Sequence, residues 1–250
     1  MATIAADTPL AVAVTQAIRS GDLPALRRLL REHPELGAAR LADDKGTASR
    51  TLLHVATDWP GHFPNGPAVV AALVAAGADV DARFVGPHTE TPLHWAASSD
   101  DVEVLDALID AGADLEAPGA VLGGGTPLAD AVGFGQWRAA RRLLERGART
   151  TLWQAAALGL LDRVEEHFTA AEPPTPDEVT HAFWQACHGR QRETAEYLLD
   201  RGADRNWVGW NDQTPLDIAT GQGADGLVEW LRSQGARSAA DAPTPPEEPS

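Results

Sequence analysis

The chain has 250 residues, 44% of them apolar, and a formal net charge of −16. With 36 acids against 20 bases, it lacks the clustered positive surface that a duplex binder needs to displace counterions, so no nucleic-acid partner is expected. A single cysteine, Cys187, excludes an internal disulfide and suits a reducing compartment, so a cytoplasmic, monomeric protein is expected.

The first ten residues carry no basic stretch followed by an apolar core, and no run of about 18 residues is apolar and uncharged. Neither a secretory signal nor a membrane span is expected. The charge is uneven along the chain. Residues 51–125 hold 11 acids and one base, Arg83, whereas residues 126–150 hold 2 acids and 5 bases. The five are Arg138, Arg141, Arg142, Arg146 and Arg149, read as the polar flank of a helix with a buried apolar stripe.

A short motif recurs along the chain. It reads Thr51-Leu-Leu-His-Val-Ala-Thr57, Thr91-Pro-Leu-His-Trp-Ala-Ala97, Thr126-Pro-Leu-Ala-Asp-Ala-Val132 and Thr214-Pro-Leu-Asp-Ile-Ala-Thr220. A second anchor follows each helical stretch: Gly77-Ala-Asp79, Gly112-Ala-Asp114, Gly147-Ala-Arg149, Gly202-Ala-Asp204 and Gly235-Ala-Arg237. Two anchors in one register mark stacked units. Within a unit, Thr91 caps a helix whose first position, Pro92, has no N–H to leave unpaired. Ala96 and Ala97 allow close approach of neighbouring helices. Val102, Leu105, Leu108 and Ile109 give the second helix an apolar stripe, as do Trp137, Ala140, Leu143 and Leu144 in the next unit. Gly112 and Gly147 end these helices.

This pattern resembles the ankyrin repeat family over residues 12–237. The resemblance implies an all-α solenoid of helix pairs with short β-hairpin fingers, its concave face built from first helices and fingers. It also implies that His54 and His94, at the motif's own histidine position, are structural ties to loop backbone. Seven units are expected. The first starts near Val12, with Gly21-Asp22 in its turn and Leu26, Leu29 and Leu30 on its second helix. The others start at Thr51, Thr91, Thr126, Thr150, His181 and Thr214. Residues 1–237 are expected to form one repeat domain, and residues 238–250 a disordered Pro/Glu-rich tail.

Three departures from the pattern stand out. Asp58-Trp-Pro-Gly-His-Phe-Pro-Asn-Gly66 interrupts the second unit and presents Trp59, His62 and Phe63. Gly147-Ala-Arg149 leads straight into Thr150-Thr-Leu-Trp-Gln-Ala-Ala156, leaving a gap in the row of fingers. Ala170 to Glu178 also lacks a hairpin, and Thr175-Pro-Asp-Glu178 reads as the capped start of a longer helix. Trp153 and Trp184, at the histidine position of the fifth and sixth units, are read as packing.

The outward row of first helices is expected to be Gln16, Val55, Trp95, Asp130, Gln154, Gln185 and Ile218. Trp95 with Trp59, Phe84 and Phe134 would form an aromatic wall with Asp130 at its base, a surface of the kind small molecules and hot-spot residues use, and Phe63 of the insertion is a further binding candidate. Burial of Trp95 under the fingers is the competing reading. His188, Trp207 and Trp210 are candidates at the other end of the chain. The expected function is a binding module whose groove takes a protein or peptide. The alternative is a small-molecule site or unusual enzyme, with Asp58, His62, His88, Glu90 and Asp130 as candidates for proton transfer. No metal is expected, since no His-Glu-x-x-His or similar ligand spacing occurs. No cofactor is expected either: Gly123-Gly-Gly125 lacks the Lys-Ser/Thr of a phosphate loop.

Overall fold

Threonine caps set the architecture. In the computed structural model, which describes residues 2–241, Thr51, Thr91, Thr126 and Thr214 stand in extended conformation at the start of four first helices, three of them followed by proline. The chain divides into two compact units, Met1–Arg149 and Thr150–Ser250, and the division falls in the link that lacks a finger.

The first unit contains four helix pairs: α1 (Pro9–Ser20) with α2 (Leu23–Glu32), α3 (Leu52–Thr57) with α4 (Gly66–Ala75), α5 (Pro92–Ser98) with α6 (Val102–Asp110), and α7 (Pro127–Gly133) with α8 (Trp137–Glu145). Strand β1 (Thr3–Ala5) runs parallel to β2 (Arg40–Ala42), which pairs antiparallel with β3 (Ser49–Thr51). This is the one β-hairpin finger among the described residues. The later fingers are loops closed by a few backbone bonds, such as Phe84 N–H to Glu90 O at 2.7 Å and Ala120 N–H to Gly125 O at 2.9 Å. In the finger at 114–125 the Gly123-Gly-Gly125 run leaves too little side chain to stabilise a ladder.

The second unit contains α9 (Leu152–Leu158), α10 (Leu161–Thr169), α11 (Pro176–His188), α12 (Arg192–Leu199), α13 (Pro215–Gly221) and α14 (Asp225–Ser233). Its core surrounds Phe183 on α11. Helix α11 has 13 residues against 7 in α9 and α13, because Thr175 and Glu178 form a capping box upstream of the repeat register.

Ala96, Ala97, Ala131 and Ala155–Ala157 are fully buried, so first helices pack backbone to backbone. The second-helix stripes are rotated from the sequence reading. In α6 the buried residues are Val104, Leu105 and Leu108, with Val102 and Ile109 only half-buried; in α8 they are Ala139, Ala140 and Leu143, with Trp137 and Leu144 half-buried. In the first unit α4 packs on α2 and α6, and α6 also on α8, besides their own first helices, which widens the buried face beyond a simple amphipathic stripe.

The expected tail begins with order. Ala239–Asp241 form a short 3-10 turn, and Ala239 N–H donates to Asp217 Oδ2 at 2.8 Å. Residues 242–250 lie outside the described residues. No helix among the described residues is long and apolar enough to cross a membrane.

Candidate functional site

The second to fourth helix pairs frame an open pocket of about 430 Å3. Thr57, Asp58 and Trp59 line it from the end of α3, Trp95, Ser98 and Ser99 from α5, and Asp130 and Phe134 from α7 and its C-terminal cap. Glu90 enters from the end of one finger and Val121 from the turn of the next. Trp59 is 80% exposed and Phe134 46% exposed, so the rim is apolar and open to solvent.

Trp95 is half-buried, which combines the two sequence readings. Its ring meets His54 edge-on, with centroids 4.9 Å apart, and tilts against Phe84 at 5.4 Å, while the residue also lines the pocket. Phe84 therefore backs the wall and does not face the pocket.

The floor is acidic and buried. Asp130 is 1% exposed and Glu90 6% exposed. Asp130 Oδ1 accepts from Val121 N–H at 3.1 Å, because the finger before α7 lies across the start of that helix. Burial, reinforced by the charge of Glu90, pushes the Asp130 carboxyl up to about 7. Glu90 Oε2 is buried and has no hydrogen-bond partner. The same residue's carbonyl accepts from His54 Nε2 at 3.1 Å. His54 Nδ1 accepts from Thr51 N–H, which fixes this tautomer. Burial holds His54 down to about 3 and His94 to about 4, so both rings are neutral ties at neutral pH. His94 repeats the arrangement, with Nδ1 on Thr91 N–H and Nε2 on Gly125 O.

The other candidates separate. Asp58 sits at the rim, paired with Arg19 at 2.6 Å and Arg50 at 2.8 Å. His62 does not line the pocket: its N–H donates to Asp101 Oδ2 at 2.6 Å and its Nε2 meets Ser99 O at 3.1 Å. Phe63 is half-buried under Arg19, 6.0 Å from the ring centroid. His88 is exposed on its finger. The insertion thus contributes Asp58 and Trp59 to the pocket, while its His62 and Asn65 fasten it to α6 and to the turn at Gly21. The expected outward row also breaks up: Val55, Asp130, Gln154, Gln185 and Ile218 are buried, Trp95 is half-buried and Gln16 is exposed. The correction has one cause, that fingers and neighbouring helices cover most of the row.

In the second unit, His188 is buried and stacked on Trp184 at 5.6 Å, Trp207 is half-buried and edge-on to His181 at 6.1 Å, and Trp210 is exposed. Trp184 does more than fill space. Its Nε1–H donates to Gln213 O at 2.8 Å, and Gln213 precedes the capping Thr214 as Glu90 precedes Thr91 and Gly125 precedes Thr126. The indole replaces the histidine tie, a role that sequence reading missed although the two positions were in register.

Most of the arginine cluster is paired with acids. Arg142 and Arg146 both pair with Asp106 at 2.8 Å, and Arg142 also pairs with Glu145. Among the described residues no three His, Cys, Asp or Glu are grouped to hold a metal ion. Cys187 is fully buried, and burial pushes its thiol well above the usual range.

Residues 53–152 match the family described as ankyrin repeats (3 copies). Among characterised proteins, the chain is 30% identical over 178 residues to the ankyrin repeat and KH domain-containing protein mask-1 of Caenorhabditis elegans, a match covering 67% of the chain but 6% of that much longer protein. Among solved structures, the human ASB11 ankyrin repeat domain superposes with a TM-score of 0.51 at 21% identity, covering 90% of this chain and 97% of that one. Residues 53–152, with their threonine caps, Gly-Ala stops and histidine ties, are ankyrin repeats, and the fold of the chain is that of an ankyrin repeat solenoid.

Proposed function

We propose that this chain is a binding module and that the pocket framed by Trp59, Trp95, Asp130 and Phe134 is where a protein or peptide segment docks. Ankyrin repeats are generally protein–protein interaction modules. One observation carries the particular site: large aromatic side chains stand exposed around an open pocket whose floor is polar, at Trp59 (80% exposed) and Phe134 (46% exposed). Exposed aromatics around a pocket are what interface hot spots are made from. A nucleic-acid partner is disfavoured by the acid-paired Arg142 and Arg146. The single thiol fits a cytoplasmic setting.

The test is random-peptide display on the purified chain, followed by affinity measurements on Trp59→Ala and Phe134→Ala. Both positions are exposed, so both variants retain the fold. Selected peptides lose at least tenfold in affinity on these variants. Peptides that bind all forms equally would move the site elsewhere.

A second reading, proton transfer on a small molecule, has one observation in its favour: a carboxyl held near 7 in a pocket, at Asp130. Against it, no histidine lines the pocket, and Asp58 is occupied by two arginines. A conversion of any ligand that Asp130→Asn abolishes while ligand affinity is kept would establish it.

A further inference from the structure

We propose that the floor of this pocket is a subsite for a guanidinium group, filled by an arginine side chain of the docked segment. The inference deepens the peptide-binding reading above and rests on it.

The argument begins with unbalanced charge. Glu90 Oε2 is buried with no hydrogen-bond partner, on a residue that is 6% exposed. A buried carboxylate left unpaired is among the costliest arrangements a folded chain tolerates. Asp130 stands on the same floor, 1% exposed, with Val121 N–H on one of its oxygens. Asp58 at the rim differs, because Arg19 and Arg50 already balance it. The negative charge that awaits a partner is therefore at the bottom of the pocket. Burial first, and the charge of Glu90 second, raise the Asp130 carboxyl above its ordinary range on this floor.

The walls select the kind of cation. Trp95 forms one side, and Trp59 and Phe134 stand at the mouth. Aromatic faces attract organic cations. A guanidinium is flat, stacks on an indole, sheds water more readily than an ammonium, and presents several N–H donors in a fixed fork. Two carboxyls below an indole suit that fork better than a point charge. A neutral donor could bond Oε2 but would leave the charge unbalanced.

The test uses three probes: N-acetyl-arginine amide, N-acetyl-lysine amide and N-acetyl-citrulline amide. Each is titrated at pH 8 into the full chain, following the tryptophan indole resonances by NMR. The variants are Glu90→Gln and Asp130→Asn, both near-isosteric, with exposed Asp225→Asn as control and thermal unfolding as the check on folding. The arginine probe shifts the Trp95 indole saturably. It binds at least tenfold more tightly than citrulline and more tightly than lysine. Either floor variant weakens it at least tenfold, and the control leaves it unchanged. Equal binding of arginine and citrulline, equal binding of arginine and lysine, or arginine binding untouched by both variants would overturn the proposal. Display-selected peptides separate the two readings. Peptides that require Trp59 and Phe134 but contain no arginine overturn the guanidinium subsite and keep the docking site. Arginine-probe binding without any peptide binding overturns the docking site instead.

Discussion

His54 Nε2 donates to the Glu90 carbonyl at 3.1 Å, and the same imidazole stands edge-on to Trp95, which lines the pocket together with Glu90. The structural tie of the repeat thus holds two of the residues assigned to recognition. His94, which ties α5 to Gly125, has no such neighbour role in the pocket.

That contrast gives a paired prediction. Replacing either histidine with alanine leaves buried backbone groups unpaired and costs roughly 1–3 kcal/mol of stability. Under conditions where both variants remain folded, His94→Ala retains ligand affinity, whereas His54→Ala loses several-fold because Glu90 and Trp95 lose their support. Chemical denaturation and affinity titration of the two variants check this. Equal affinities would confine His54 to stability.

The acid floor predicts an inverted pH response. Asp130 has a folded pKa of about 7 against an ordinary 3.8, so the folded state holds this proton more tightly than the unfolded state does. Its contribution to stability is complete below pH 3.8 and is lost as the pH rises through 7. At ~1.4 kcal/mol per pH unit, the full loss is on the order of 4 kcal/mol. Burial is the main cause, the Glu90 charge adds to it, and the backbone N–H groups of Val121 and Leu122 oppose it. Asp130→Asn escapes this loss, so its stability gain over the parent grows from pH 4 to pH 8. His54 and His94 work in the opposite sense: with folded pKa values of about 3 and about 4 against 6.5, they lower stability as the pH falls below 6.5. Urea unfolding of parent and Asp130→Asn across this range makes the comparison. A constant difference would contradict the account of Asp130.

Trp184 is predicted to behave as the histidine of its repeat. Trp184→Phe keeps most of the packing but removes the Nε1–H bond to Gln213 O, at a cost of about 1–2 kcal/mol. Amide exchange of the segment around Gln213 should accelerate with it. A variant as stable as the parent would show that the indole acts through packing alone.

The C-terminal boundary gives a fourth prediction. Thr214 Oγ1 donates to Arg237 O, and Ala239 N–H donates to Asp217 Oδ2, the carboxylate that caps α13. Truncation after Arg237 removes the second bond and lowers the thermal midpoint by about 2–4 °C relative to truncation after Asp241, as roughly 1 kcal/mol does in a chain of this size. Identical midpoints would return residues 238–241 to the tail.

The sequence made the repeat legible because its signals are local. Thr-Pro caps, the Gly-Ala-Asp stops and the capping box at Thr175 each act within a few residues, and each is found where the pattern places it. Trp95 and Asp130 were also legible as candidates from register, and Glu90 from its place at the end of a finger. What register did not convey was depth. Asp130 reads as an outward residue, but the finger carrying Val121 covers it. His62 reads as a free acid–base group, but its backbone and ring are engaged by Asp101 and Ser99 across the sequence. Those outcomes depend on loop paths that no periodicity specifies.

The central claim, that recognition occurs in the pocket of the second to fourth helix pairs, is tested most directly by NMR mapping of a display-selected peptide on the isotope-labelled chain. The account predicts that the largest shifts and peptide contacts fall on Trp59, Trp95, Val121 and Phe134. Shifts concentrated instead on Trp207, Trp210 and His188 would contradict it.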